Sequence, residues 1–397
     1  MPDDKRAEND PVAAVGEALA LMKRRADRAY GSVPNMVRLL ALAVVIFAVP
    51  YYINPFSGEV MFDNRWLVVF RFVGLYIMLG IGLNIVVGYA GLLDLGYVAF
   101  FATGAYLYAL LASPVSPAID FPIEDYRWLF WAILPTALVV GAAVGVFLGI
   151  PVLPLRGDYL AIVTLGFGEI IRLFLINKGD FTGGSQGLSR VEPPPLPSPL
   201  EDLTVGAHKE WYMFMVIGIF VVAFIAARLR DSRIGRAWEA IREDEEVAAA
   251  MGVNTVKYKL LAFAMGAAIG ALGGSISAGF TGSAIPDSFD LLVSINVLSL
   301  VVIGGMGSTS GVVMGALILI GIPEFLRFSE ARDLLGYLDP LVPFADTREW
   351  ADQIRDNRFV VFGALLVIVM VLRPVGLVPS KRRKLEASWA EETAAQV

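Results

Sequence analysis

The chain has 397 residues, 56% of them hydrophobic, with a mean hydropathy of +0.65, a net charge of −6, no cysteine and one histidine, His208. Lack of cysteine excludes disulfides, thiol catalysis and Cys-ligated metal or iron–sulfur centres, and a lone histidine in a polar loop excludes a His-rich metal or haem site. The mild charge, without a basic stripe among aromatics, gives nucleic-acid binding no support, whereas apolar runs of about 20 residues are long enough to cross a lipid bilayer as helices and too unbroken for barrel strands.

Residues 1–35 read as a polar cytoplasmic tail without the apolar core and small-residue cleavage site of a secretory signal. Val12, Val15, Leu19 and Met22 fall at helical spacing ahead of Lys23, Arg24, Arg25 and Arg28. Two readings stand: a basic amphipathic helix on the inner membrane surface, or a loosely ordered tail. A transmembrane domain over 36–378 follows, then a cytoplasmic tail over 379–397. The expected fold is all-α, with about ten spans. They are predicted at 36–53, 66–87, 97–112, 128–150, 159–176, 211–227, 260–280, 291–306, from 311 to a stop at Pro323, and 359–372.

An even number of spans puts both termini on one side. Of the 32 Lys and Arg, 19 fall on the side carrying the tails, Arg156 and the loop 228–259, and 10 on the other, so the tails and that loop are assigned to the cytoplasm. The opposite side holds the acidic loop 113–127, a stiff proline run over 193–199 and the acidic segment 330–357.

Four motifs carry chemistry. The first, 82–96, places Asn84, Gly82, Gly88, Gly91, Gly96 and Asp94 between two spans. Glycine permits non-helical backbone and close helix contact, and an acid near membrane depth is costly. The segment is either a broken stretch near a translocation path or an inner turn in which Asp94 caps the third span. The second, 156–172, sets Glu169 and Arg172 three apart on one helix face. They are either a charged pair facing a zwitterionic solute or an ion pair that fixes helix packing.

The third motif is the loop 228–259, where 235–251 reads as one amphipathic helix ending at Gly252. Ala240, Ile241, Val247, Ala248 and Met251 form its apolar stripe, while Glu239, Arg242 and Glu243 are polar. It is either a handle for a separate ATPase or a surface helix shielding the loop. The fourth, 304–316, carries Gly304, Gly307, Gly311 and Gly315. It lacks a P-loop lysine and joins two apolar spans, so its glycines read as helix packing or path lining. No Walker A sequence occurs in the chain, so it holds no ATPase site by that route.

The stretches 82–111, 156–172 with 182–187, 231–252 and 301–320 together resemble the LivM-type permease of branched-chain amino-acid ABC importers. The resemblance implies a ten-helix type II importer bundle in the bacterial inner membrane, without cofactor or metal. It also implies partners: a second, LivH-like permease, two cytoplasmic ABC ATPases and a periplasmic amino-acid-binding protein. Arg236, Glu239, Arg242, Glu243, Glu246, Ala248 and Gly252 would then lie on the coupling helix. There Glu246, Ala248 and Gly252 match part of the Glu-Ala-Ala-three-Gly motif, with Val247 in place of the first Ala and the later part missing. Asn84, Asp94, Glu169, Arg172, Gly304, Gly307 and Gly311 would line the path or pack helices. Sibling permeases for urea, short amides or other small polar solutes look alike. An ion-coupled secondary transporter is the competing class, and a membrane enzyme would need an acid or His/Cys set that is missing from the sequence.

Overall fold

The computed structural model describes residues 64–117, 130–155, 157–191, 207–325, 357–373 and 376–378. The expected span at 36–53, both tails, Arg156, the proline run and nearly all of the acidic segment 330–357 lie outside them. Among the described residues, six helices are long and apolar enough to cross a membrane, and Val98–Ala112 and Thr309–Glu324 are shorter apolar helices. The molecule is an all-α, multi-pass membrane protein.

Helix α1 (Asn64–Leu83) passes into a π-helical turn, Asn84–Tyr89. Then come α2 (Val98–Ala112), α3 (Phe130–Val152) and α4 (Asp158–Asn177). The one-turn α5 (Gly179–Thr182) leads to strand β1 (Leu188–Ser189). Helix α6 (Ala207–Arg230) ends at two short helices, α7 (Arg233–Glu243) and α8 (Glu245–Ala250). From there α9 (Thr255–Thr281) recrosses the bundle to β2 (Ser283–Ala284). β2 pairs antiparallel with β1, Leu188 opposite Ala284 and Ser189 opposite Ser283. Helices α10 (Leu291–Gly304) and α11 (Thr309–Ala316) follow, then a second π-helical turn, Leu317–Gly321, running into α12 (Ile322–Phe325). The last helix is α13 (Arg358–Leu372).

Helix α9 is the axis, packed against α3, α2 and α1. In lipid the hydrophobic effect gives helices no reason to prefer one another, so close backbone approach between small residues must hold them together. The sequence of α9 supplies them: Ala267, Ala268, Gly270, Ala271, Gly273, Gly274 and Ser275 are all buried. Opposite, Gly141 and Gly145 of α3 face Ala271 and Ala267. Gly104 of α2 rests on the Ala271 carbonyl and Gly274 on the Phe101 carbonyl, contacts too tight for a Cβ. Side chains fasten the same surfaces. Ser275 Oγ donates to Gly104 O at 2.8 Å, and Tyr97 Oη to Gly266 O at 3.1 Å.

Three sequence expectations change. The ninth span does not stop at Pro323, because the helix runs on to Phe325. A helical proline has no N–H and crowds the carbonyl four residues earlier; the wider π turn immediately before it accommodates the ring. The expected helix over 235–251 is two helices, broken at Asp244, whose backbone is extended and whose carboxylate accepts from Glu246 N and Val247 N. Its stripe is correspondingly partial: Ile241 and Ala248 are buried, but Val247 and Met251 are exposed. Third, Asp94 does not cap α2. It accepts from Gly96 N at 2.9 Å, while the hydroxyl of Ser294, on α10, accepts from Val98 N at 3.0 Å.

Substituting Ala for Gly104 or for Gly274 is expected to cost about 1–3 kcal/mol, because a Cβ meets main chain rather than a movable side chain. Gly166→Ala, where the added carbon meets nothing within 4 Å, should change stability by no more than about 0.5 kcal/mol. Thermal unfolding of the detergent-solubilised protein, followed by size-exclusion chromatography, reads both.

Candidate functional site

The α7–α8 pair is a charged surface feature with a fixed base. Ser232 caps α7, accepting from Ile234 N and Gly235 N, and donates to Leu229 O at 2.6 Å. Gly235 lies directly on the carbonyls of Leu229 and Arg230, so only glycine fits the corner after α6. Trp238 is fully buried, and its indole N–H donates to Tyr258 O at 2.7 Å, which binds α7 to the start of α9. Lys259 and Glu245 add an ion pair at 2.5 Å with the Lys side chain 6% exposed. On the other face Arg236, Glu239, Glu243 and Glu246 are exposed. Gly252 closes α8 at φ +87°, the left-handed backbone expected of a C-terminal glycine.

Arg242 departs from its charged neighbours. It is half-buried and donates from Nη1 to the carbonyl of Gly88 in the π turn of α1. That carbonyl is one of the acceptors a helix end leaves without an intrahelical partner, and a cation suits it. The same turn meets the α10–α11 loop. Gly307 N donates to Asn84 Oδ1 at 2.8 Å, and the hydroxyls of Tyr89 and Thr309 lie 3.2 Å apart. Asn84 is fully buried.

Beyond the turn, the linker to α2 is pinned by Leu95 N donating to Thr164 Oγ1 at 3.0 Å. Asp94 is 1% exposed, and its second carboxylate oxygen has no protein partner among the described residues. A cavity of about 370 Å³ opens between linker and helix pair, lined by Gly91, Leu93, Leu160, Arg242, Glu245 and Lys259.

At the opposite end of the bundle, Arg172 bonds both Glu169 at 2.8 Å and Asp287 at 3.0 Å. The pair foreseen within α4 is therefore a triad that ties α4 to the segment after β2. Nearby, a second cavity of about 330 Å³ is lined by Tyr76, Phe101, Ser277, Thr281, Ser288 and Phe289.

The structure thus divides the residues singled out from sequence. Arg242, Asn84 and Gly307 meet at one point, with Asp94 buried in the adjoining linker. Gly304 and Gly311 face each other's carbonyls and pack α10 on α11. Arg236, Glu239, Glu243 and Glu246 lie apart on the open face, Ala248 is buried beneath them, and Glu169 with Arg172 sits at the far end. Sequence reasoning missed Trp238 and Lys259. A tryptophan between charged residues and a lysine at the start of a span were the available signals.

Comparison with known proteins returns one family. Residues 66–370 match the family described as branched-chain amino acid transport system / permease component. The chain is 36% identical over 375 residues to the high-affinity branched-chain amino acid transport system permease protein LivM of Salmonella typhimurium, covering 89% of this chain and 77% of that protein. It is 27% identical to the probable LivM permease of Methanocaldococcus jannaschii, over 78% of this chain and 91% of that protein. It is also 28% identical to the LivH permease of Escherichia coli, over 76% of this chain and 90% of that protein. No solved structure matches.

The buried ion pair makes the base of α7–α8 testable. Glu245→Gln leaves the Lys259 charge uncompensated and is expected to cost about 1–3 kcal/mol, reduced from the full buried-pair value because Glu245 keeps some solvent contact. Removing both charges in Glu245→Gln/Lys259→Met should return stability to within about 1 kcal/mol of the parent. A double-mutant cycle of thermal unfolding in detergent measures the difference.

Proposed function

The chain belongs to the family of branched-chain amino acid transport permeases, and on that premise we propose that it is one of two membrane subunits of an ATP-driven importer in the bacterial inner membrane. A LivH-like permease completes the path, two cytoplasmic ABC ATPases drive it, and a periplasmic amino-acid-binding protein delivers the solute. The solute is a branched-chain or related apolar amino acid. Ten spans with both termini in the cytoplasm agree with the distribution of Lys and Arg, which puts α7–α8 on the cytoplasmic side.

One observation carries the reading. The α7–α8 pair presents Arg236, Glu239, Glu243 and Glu246 to solvent, while Trp238, Lys259 and Ser232 anchor its base to α6 and α9. A surface helix that merely shields a loop has no need of such an anchorage; a helix pushed by a separate machine does. ATP binding closes the partner ATPases and displaces this pair, and the path between the permeases opens toward the binding protein. Hydrolysis resets it. The chain itself supplies no ATPase site. Its part is to change shape, and recognition of the solute rests mainly with the binding protein.

Proteoliposomes holding both permeases and both ATPases, with the binding protein supplied outside, test this. ATP-dependent uptake of leucine, isoleucine or valine above urea and short amides is expected. Uptake driven by a proton gradient without ATP would overturn it. Glu243→Ala/Glu246→Ala should still insert and assemble, yet transport at least about fivefold fewer solute molecules per ATP. Unchanged coupling in that variant removes the handle assignment.

A further inference from the structure

Arg242 stands on α7, yet it bonds one place where regular helix fails and lies beside another. Within the π turn, Ala90 N bonds Ile85 O at 3.2 Å and Leu92 N reaches back to Val86 O at 3.1 Å. The carbonyl that Leu92 N would take in a continued α-helix, that of Gly88, accepts from Arg242 instead. The stem of Arg242 lies on Gly91, where φ is +72° and an added Cβ would come within 2.7 Å of Cγ. The second irregular place is the α10–α11 loop. At Gly307, φ is +84°, and a Cβ there would lie 3.3 Å from Gly88 O and 3.4 Å from Arg242 Nη1. Gly307 also donates to Asn84 across the same gap. One guanidinium therefore sits where α7, the end of α1 and the α10–α11 loop converge.

We propose that Arg242 is the positioning residue through which α7 moves the membrane helices: a strut that binds the π turn of α1 and the Gly307 loop to the helix pair, so that all three shift together. The proposal rests on the reading of α7–α8 as the element that receives force. The residue types suit the role. A π turn is a local departure from regular helix of a kind frequent at functional sites. Glycines at 91 and 307 let a side chain and a loop lie against main chain. Arginine reaches an acceptor with a planar, permanently charged group, which a lysine ammonium does not reproduce. Trp238 holds α7 to α9 and Lys259 holds α8 to α9, whereas Arg242 bonds α7 to the π turn of α1.

Two measurements on the complete importer decide it. The first is the ratio of solute transported to ATP hydrolysed for the parent, Arg242→Lys and Arg242→Met. Arg242→Met is expected to assemble with the ATPases and keep ATP hydrolysis within about twofold, while the ratio falls about tenfold; Arg242→Lys should recover part of it. An unchanged ratio in Arg242→Met overturns the strut and leaves the importer reading intact. That reading fails separately if the parent complex shows no ATP-dependent uptake.

Should Arg242→Met not assemble, the second measurement decides alone. The chain has no cysteine, so spin labels can be placed at Arg233→Cys on α7 and Ser310→Cys on α11, both exposed. The strut requires their separation in the otherwise unaltered complex to stay the same between nucleotide-free and ATP-trapped states. A separation that changes between those states shows α7 moving independently of the loop and overturns the proposal.

Discussion

Everything in this bundle depends on main chain lying against main chain along α9. Lipid tails solvate an apolar helix as well as another helix does, so a leucine-rich surface alone would not choose its neighbours. Closeness chooses them, because dispersion and hydroxyl-to-carbonyl contacts gain most when no side chain keeps the backbones apart. Gly104, Gly141, Gly145 and Gly274 provide that closeness around α9, and Ser275 and Tyr97 lock its register with hydrogen bonds. With α2 and α3 fixed on α9, the irregular segments at the bundle's ends acquire defined positions.

Those irregular segments bring polar groups of different elements together. Several buried polar groups lie where helices stop or widen, or beside such places. Asn84 lies in a π turn, Asp94 in a linker, Thr164 beside that linker, and Ser308 at the cap of α11. Away from water, main-chain groups released from a helix need partners from elsewhere. Asn84, Thr164, Ser294 and Arg242 supply them from other elements. The same substitution of partners that satisfies the backbone also connects distant elements. Arg242 thereby bonds α7 directly to the end of α1.

Much of this was legible beforehand. The apolar runs located every described span to within a few residues at most ends, because crossing a bilayer leaves little freedom in length. The glycine segments at 82–96 and 304–316 stood out, and so did the charged helix of the 228–259 loop. Periodicity misread that loop in one respect. Asp244 is compatible with a continuing helix by spacing, but its carboxylate has two free N–H groups to cap, and the helix breaks there. Pro323 was read as a stop because a π turn upstream leaves no composition signature. Asp94 was offered α2 as a capping partner by proximity in sequence, yet a serine nearly two hundred residues away does that work.

By itself the sequence determined that the chain lives in a membrane as a helical bundle, roughly where the spans run, and which segments are charged, glycine-rich or broken. Those properties follow from hydropathy, length and backbone freedom, which are local. Only the tertiary structure decided that Arg242 turns inward while Glu243 faces out, that Arg172 takes Asp287 as well as Glu169, and that Gly307 meets Asn84. Such pairings depend on which helix faces which at atomic distance. A charge or a glycine carries no mark of its partner until the backbones around it are close enough to exclude every other choice.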